Sequence, residues 1–283
     1  MPGNNVAILG GGNVGQAMAL GWLRSGRFAA HEITVTRRHP DKLIELEKQG
    51  LRTGADNLHA IQAARIVVLA VQPQQIDDLA GEIRSGLVPD RHLVVSVVSG
   101  ISIRRLATML ERPVPIVRAM PNTAISIGRS MTCLAAADGA SPALDECVEL
   151  FNALGETLCI SEEMMVPATA LCACGLAFFL RSVRAASQGG IEIGFHPEEA
   201  LKIAAQTALG AASLLLNSRS HPEAEIDRVT TPRGCTIAGL NEMEHRGFSS
   251  AMIKGIITSA REASALLSKD IDAPDPGKRR RDW

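Results

Sequence analysis

Three stretches of this chain hold residue types at spacings that could do chemistry. The first is Gly10-Gly11-Gly12-Asn13-Val14-Gly15, which follows the apolar run Val6-Ala7-Ile8-Leu9 and precedes Gln16–Leu23, a segment that reads as a helix. Gly10, Gly12 and Gly15 stand at G-x-G-x-x-G spacing. In a strand-turn-helix these glycines serve a tight turn, close approach of backbone to a pyrophosphate, and close packing of helix on strand. Asn13 and Val14 lie in the same turn, just ahead of the helix, whose free N–H groups and positive dipole end face an anion. The context predicts dinucleotide binding, with a plain strand-to-helix turn as the alternative.

The second stretch ends the next apolar run, at Thr36-Arg37-Arg38. An acid here would hold the adenine-ribose hydroxyls of NAD, and an arginine favours the 2′-phosphate of NADP. With no acid before Asp41, Arg37 and Arg38 predict bidentate, charge-assisted bonds to phosphate and a preference for NADPH, with NADH as the alternative. A solvated pair at the sheet edge is the other reading. Asn57 is a candidate partner for the ribose, and Ala70-Val71-Gln72-Pro73, ending a third apolar run, should pass beside the cofactor.

The third stretch is Thr231-Pro232-Arg233-Gly234-Cys235-Thr236. Thr231-Pro232 stops the chain, Gly234 permits an unusual backbone angle, and Thr236 opens a helix. Successive N–H groups at Cys235 and Thr236 would form a nest for a carboxylate. A capped helix start is the structural alternative.

The elements that must position these residues follow from periodicity. Apolar runs at 6–9, 32–36, 66–71, 92–98, 114–120, 131–135 and 157–160 alternate with helical segments, which predicts a mostly parallel, doubly wound α/β sheet. From Glu162 onward apolar residues recur only at helical spacing, through 168–186, 197–216, 236–244 and 249–267. Breaks are expected at Gly189-Gly190, Gly194–Pro197, His221-Pro222, Thr231-Pro232 and Gly247. The expected organisation is a Rossmann domain over 1–161, an all-α domain over 162–269 and a disordered tail over 270–283. The small-residue, apolar character of the helical half predicts a homodimer with sites near the subunit boundary.

Composition excludes several classes. The chain has 283 residues, a formal net charge of −1, no tyrosine and 3% aromatic residues, so neither nucleic acid nor an anionic membrane is expected as a partner. The basic run near the C-terminus has no matching patch elsewhere. Six cysteines show no metal-ligand spacing and no Cys-x-x-Cys, and are expected to be buried reduced thiols of a cytoplasmic protein. The uncharged stretch 164–180, rich in alanine, cysteine and threonine, is expected to be a core helix rather than a membrane span. No signal peptide is expected, and no metal site.

The chain resembles the pyrroline-5-carboxylate reductase family. The resemblance rests on Ile8–Gly15, Ala70-Val71-Gln72-Pro73-Gln74, Arg118-Ala119-Met120-Pro121-Asn122-Thr123 and Val229–Thr236, in order and spacing over roughly residues 4 to 268. It implies an N-terminal Rossmann domain, a helical dimerisation domain and dimers that associate into rings. The implied reaction is reduction of the ring C=N bond of 1-pyrroline-5-carboxylate to L-proline with NAD(P)H. By the same resemblance Thr231, Cys235 and Thr236 hold the substrate carboxylate, with Gly234 in the same loop, and the Thr236 hydroxyl faces the ring nitrogen. Ser99 and Asn122 lie on loops near the nicotinamide. A protonated cyclic imine already accepts hydride well, so placement supplies most of the catalysis, and no acid, base or nucleophile constellation is required.

The chain departs from the family pattern in places. Pro232-Arg233-Gly234 stands where Pro-Gly-Gly is usual, and Leu171-Cys172-Ala173-Cys174-Gly175-Leu176-Ala177-Phe178 where Ser-Gly-Ser-Gly-Pro-Ala-Tyr is usual. Gln72 replaces a common lysine, Ser130 a glycine and Arg219 a glutamate. These departures keep two alternatives open: a reductase of another small cyclic imine or keto acid, and a catalytically lost NADP-binding regulatory protein.

Overall fold

The structure, a computed structural model, describes residues 5–137 and 141–271. Two compact units divide the chain: one runs up to Cys174 and resumes at Ser259, and the other is Gly175–Thr258.

The first unit is built on an eight-stranded sheet of order β3-β2-β1-β4-β5-β6-β7-β8. The strands are β1 (Val6–Leu9), β2 (Ile33–Thr36), β3 (Arg52–Gly54), β4 (Ile66–Leu69), β5 (Leu93–Ser96), β6 (Ile116–Met120), β7 (Ser130–Ala136) and β8 (Gly155–Cys159). All neighbours pair parallel except β6 and β7, which are antiparallel. β3 was not expected. It is three residues long and carries no apolar run, so its sequence offers no period to read.

Period-two geometry sends alternate residues of each buried strand to opposite faces. Val6 and Ile8 join one core with Met18, Trp22, Phe28 and Phe151, while Ala7 and Leu9 join another with Ile61, Leu79, Ile83 and Leu106. In the first core Trp22 packs edge-to-face on Phe28 and Phe151, each at a centroid distance of 5.8 Å, and its indole N–H donates to the Leu150 carbonyl at 3.0 Å.

The crossover helices are capped as their sequences dictate. Asp56 accepts from the His59 N–H, Ser102 from that of Arg105, and Ser141 from that of Leu144. The helix Asn13–Ser25 begins without such a cap, at Gly12, which leaves its first N–H groups for another acceptor.

The compact units divide at Cys174, later than the change of pattern at Glu162. The reason lies in the intervening turns, where Met165 and Cys172 are buried against Met120, Cys133 and Ala135 of β6 and β7. Arg118 of β6 is 3% exposed and donates to Glu162 Oε1 at 3.1 Å, and the same oxygen accepts from the Ile103 N–H at 2.6 Å. Residues Thr169–Cys174 form a π-helical turn.

In the second unit the helices Gly175–Glu192 and Pro197–Ser218 pack on one another. A Cβ at Gly190 would stand 3.1 Å from that of Ala200, so the small residue sets their approach. The break expected at Gly189-Gly190 is absent, because the helix runs through both glycines to Glu192. Pro222–Val229 is a helix where only breaks were expected; it has few apolar residues to show a period. Cys235–His245 and Phe248–Ile271 follow, the latter crossing from the second unit into the first. Asp270 and Ile271 close that last helix, and the rest of the tail expected to be disordered lies outside the described residues.

Three of the six cysteines, Cys133, Cys147 and Cys172, are buried, whereas Cys159 and Cys235 are exposed and Cys174 is intermediate. The expectation of buried thiols therefore fails for the exposed pair: Cys159 ends an edge strand and Cys235 opens an exposed helix.

Candidate active site

Register brings the first two stretches together. Leu9 of β1 pairs with Thr36 of β2 and with Leu69 of β4, so the segments that follow leave the sheet side by side at its carboxyl edge. This is the point where the strand order reverses, the usual ligand crevice of an open α/β sheet. A cavity of ≈ 500 Å³ lies there, lined by Gly10, Gly11, Gly12, Thr36, Arg37, Arg38, His39, Asn57, Ala70, Val71 and Gln72, among others.

The glycines divide their labour in the way a phosphate cradle needs. Gly10 has φ +116, and a Cβ there would lie 2.4 Å from the Ala70 carbonyl oxygen. A Cβ at Gly15 would lie 2.1 Å from the Gly10 oxygen, whereas one at Gly12 would meet no protein atom within 4 Å. Thus Gly10 and Gly15 hold the turn closed, and Gly12 leaves open space at the uncapped helix start. That geometry fits a pyrophosphate.

The rim is polar. The Gly10 and Gly11 N–H groups donate to the Thr36 carbonyl at 3.1 and 2.7 Å, tying the turn to β2. Arg37 Nη1 donates to the Gly11 carbonyl at 2.8 Å, which sets the guanidinium across the glycine turn. Arg38 faces Asp78 at 3.8 Å, with both side chains mostly exposed. Asn57 opens the helix Asn57–Gln62; its Oδ1 accepts from the Thr36 hydroxyl at 2.5 Å and its Nδ2 donates to Glu82 Oε2 at 2.9 Å. Asp78 and Glu82 also line the cavity. They were not anticipated from sequence, since the helix carrying them offers only amphipathic period, not a motif.

Of the other expected cofactor residues, Asn13, Val14, Gly15, Pro73, Ser99 and Asn122 do not line this cavity. Asn13 and Val14 begin the helix behind the glycine turn, and Pro73 begins the turn that precedes Ile76–Ile83. Ser99 follows β5, and Asn122 follows β6. Asn122 Nδ2 donates to the Cys172 carbonyl at 3.3 Å, and its Oδ1 accepts from the Ala124 N–H at 3.1 Å, so its side chain serves the loop.

Cys172, part of the departure at 171–178, turns into the core. Its thiol donates to the Met131 carbonyl at 2.8 Å. The contact between the two thiols lowers the pKa of Cys133, and the same contact together with burial raises that of Cys172. Among the described residues no three His, Cys, Asp or Glu side chains converge as a metal site.

In the second unit, Thr231–Gly234 closes a turn in which the Gly234 N–H donates to the Thr231 carbonyl at 2.9 Å. The unusual backbone angle falls on Arg233, at φ 60, not on Gly234, which is extended at φ −74 and ψ 163. Proline second and a positive φ third is the pattern of a type II turn, where glycine is usual at the third place. What fixes Gly234 is space: a Cβ there would lie 2.5 Å from Thr231 Oγ1. Gly234 caps the helix Cys235–His245 without a side chain, so the Cys235 and Thr236 N–H groups stay available. Thr231, Arg233 and Cys235 are exposed, and Thr236 is half-buried.

Because Arg233 occupies the left-handed region, Arg233→Gly is expected to raise stability by about 1 kcal/mol, a rise in Tm of a few degrees. With the side chain exposed, KM for a carboxylated substrate should stay within about twofold. Calorimetry and steady-state kinetics check both numbers. A tenfold rise in KM would show instead that the guanidinium binds the substrate anion.

Residues 162–266 match the family described as pyrroline-5-carboxylate reductase dimerisation, and residues 5–100 match the family described as NADP oxidoreductase, coenzyme F420-dependent. Pyrroline-5-carboxylate reductase 2 of Dictyostelium discoideum is 48% identical over 94% of this chain and 95% of its own length. The chain belongs to the pyrroline-5-carboxylate reductase family. Pyrroline-5-carboxylate reductase 1 of the same organism is 51% identical over 94% of this chain, which spans only 50% of that longer relative. Among solved structures, the pyrroline-5-carboxylate reductase of Coxiella burnetii aligns with a TM-score of 0.82 at 29% identity, covering 93% of this chain and 98% of its own. The matched residues 5–100 hold the glycine turn and Arg37-Arg38, and the matched residues 162–266 hold the loop 231–236.

Proposed function

We propose that this chain is an NADPH-dependent reductase that converts 1-pyrroline-5-carboxylate to L-proline. The observation that carries the reading is the 48% identity to a pyrroline-5-carboxylate reductase along nearly the whole of both chains. Support comes from the glycine cradle beside Arg37 and Arg38, with no acid at the end of β2 to favour NAD.

The bound nicotinamide supplies hydride to the ring carbon. The chain's own groups bind and orient. Gly12 and the uncapped helix start receive the pyrophosphate, and Arg37 and Arg38 take the 2′-phosphate. The Cys235 and Thr236 N–H groups, with Thr231, hold the substrate carboxylate, and the Thr236 hydroxyl lies against the ring nitrogen, which retains its proton as the C=N bond becomes C–N. The inward turn of Cys172 makes that one exchange a matter of packing, which favours the proline-forming reaction over another imine or keto acid.

The chain self-associates through residues 162–268 as a homodimer, and dimers join into rings. Large apolar side chains at the surface of the second unit favour this, such as Ile193 at 78% and Leu216 at 79% exposure. The helical run Glu162–Glu192 is long and apolar enough to cross a membrane by length and composition. Its place inside the matched dimerisation region favours cover by protein, in the cytoplasm, over lipid.

Purified protein with NADPH and pyrroline-5-carboxylate, followed at the nicotinamide absorbance, tests the reaction; absence of turnover rejects it. Replacing Arg37 and Arg38 together by Ala should cost about 1–3 kcal/mol of NADPH binding and leave NADH binding nearly unchanged. Equal loss for both cofactors would show that the pair serves the fold instead.

A further inference from the structure

The cavity rim is not purely cationic. Opposite Arg37, Arg38 and His39 stand Asp78 and Glu82, four residues apart on the helix Ile76–Ile83 and so on one face of it. Asp78 faces Arg38 at 3.8 Å. Glu82 accepts from Asn57, whose other end accepts from the Thr36 hydroxyl at the tip of β2. The amide of Asn57 is thereby held at both ends and joins the strand where cofactor choice is made to a carboxylate across the cavity.

We infer that Glu82, with Asp78 one turn before it, is a determinant of cofactor choice that works against the arginine pair. The inference rests on the dinucleotide reading of this cavity. A carboxylate accepts a hydrogen bond from a ribose hydroxyl, which is how an acid at the end of the second strand selects NAD in such folds. Here the acid comes from a helix beyond β4, and Asn57 anchors it. Its remaining oxygen lone pairs are free to accept from the unphosphorylated ribose. A 2′-phosphate brings close to two negative charges and no proton to donate at neutral pH, so Glu82 and Asp78 repel it while Arg37 and Arg38 attract it. Asp78 also draws on Arg38. The result is a site that takes both cofactors, with the preference for NADPH held below what two arginines alone would give. Because the groups are exposed, solvent screens them and the effect is moderate.

Fluorescence titration of NADPH and NADH, without substrate, reads the effect directly. Glu82→Gln keeps an acceptor for Asn57 and removes the charge; it should tighten NADPH by roughly threefold to tenfold and weaken NADH by about threefold. Asp78→Asn should tighten NADPH by a smaller factor and leave NADH unchanged, and it guards against a folding defect special to Glu82. Raising salt should shrink the NADPH gain in both variants. An affinity ratio that neither substitution alters overturns the inference while leaving the cofactor reading intact. If the unmodified protein binds neither nucleotide, the cofactor reading falls and takes this inference with it.

Discussion

Gly15→Ala is expected to lower the stability of the protein by roughly 3 kcal/mol, whereas Gly12→Ala should leave folding untouched and weaken cofactor binding tenfold or more. The two glycines are three residues apart in one motif, and their environments differ. A Cβ at Gly15 would meet the Gly10 carbonyl oxygen at 2.1 Å, a backbone atom in a turn that is itself tied to Thr36. No rotamer change relieves that clash, so the helix must move off β1, which is overpacking at its most costly. At Gly12 the added methyl meets no protein atom, and only a ligand approaching the helix start would feel it. Urea denaturation and nucleotide titration of both variants decide the matter. Equal destabilisation of the two would refute the division of labour between closing the turn and admitting the phosphate.

Arg118→Met is expected to cost about 3 kcal/mol, at the lower end of what breaking a buried ion pair takes. Arg118 is almost fully enclosed, and Glu162 is 30% exposed at its side chain, so water recovers part of the loss. Glu162 also accepts from the Ile103 N–H, and that contact alone cannot compensate a carboxylate left without its cation. Adding Glu162→Gln to Arg118→Met should recover at least ~1 kcal/mol, because the orphaned charge goes with it. Chemical denaturation of the single and double variants measures both; a single variant within about 1 kcal/mol of the unmodified protein would show that the pair contributes little.

Much of this arrangement was legible in the sequence because its signals are local. The runs at 6–9, 66–69 and 93–96 are buried at every position and apolar but for Ser96, as strands buried on both faces should be, and the glycine spacing named its own turn. What escaped was short or relational. β3 is three residues at the sheet edge, paired only with β2 and without a hydrophobic period, and the antiparallel direction of β7 is a property of its connection rather than its composition. Gly189 and Gly190 read as a break, yet the helix continues through both, with Gly190 packed against Ala200 despite the low helix propensity of glycine. The positive φ was assigned to Gly234, the glycine in view, when the type II turn puts it on Arg233. Asp78 and Glu82 carried no motif at all; only the fold sets them opposite Arg37 and Arg38.

The apolar faces of the second unit also tie the chain's robustness to its own abundance. Phe179, Leu180, Leu209 and Leu214 stand more than half exposed on a single chain, so on the self-association reading part of the folding free energy arises only when two chains meet. For such a protein the melting temperature depends on protein concentration, and each tenfold dilution removes about 1.4 kcal/mol per dimer formed. A modestly destabilising substitution anywhere in the sheet would then pass unnoticed in a concentrated preparation and become limiting at the scarce levels of a cell. Expression dosage, rather than site chemistry, would set how much mutational load this sequence tolerates.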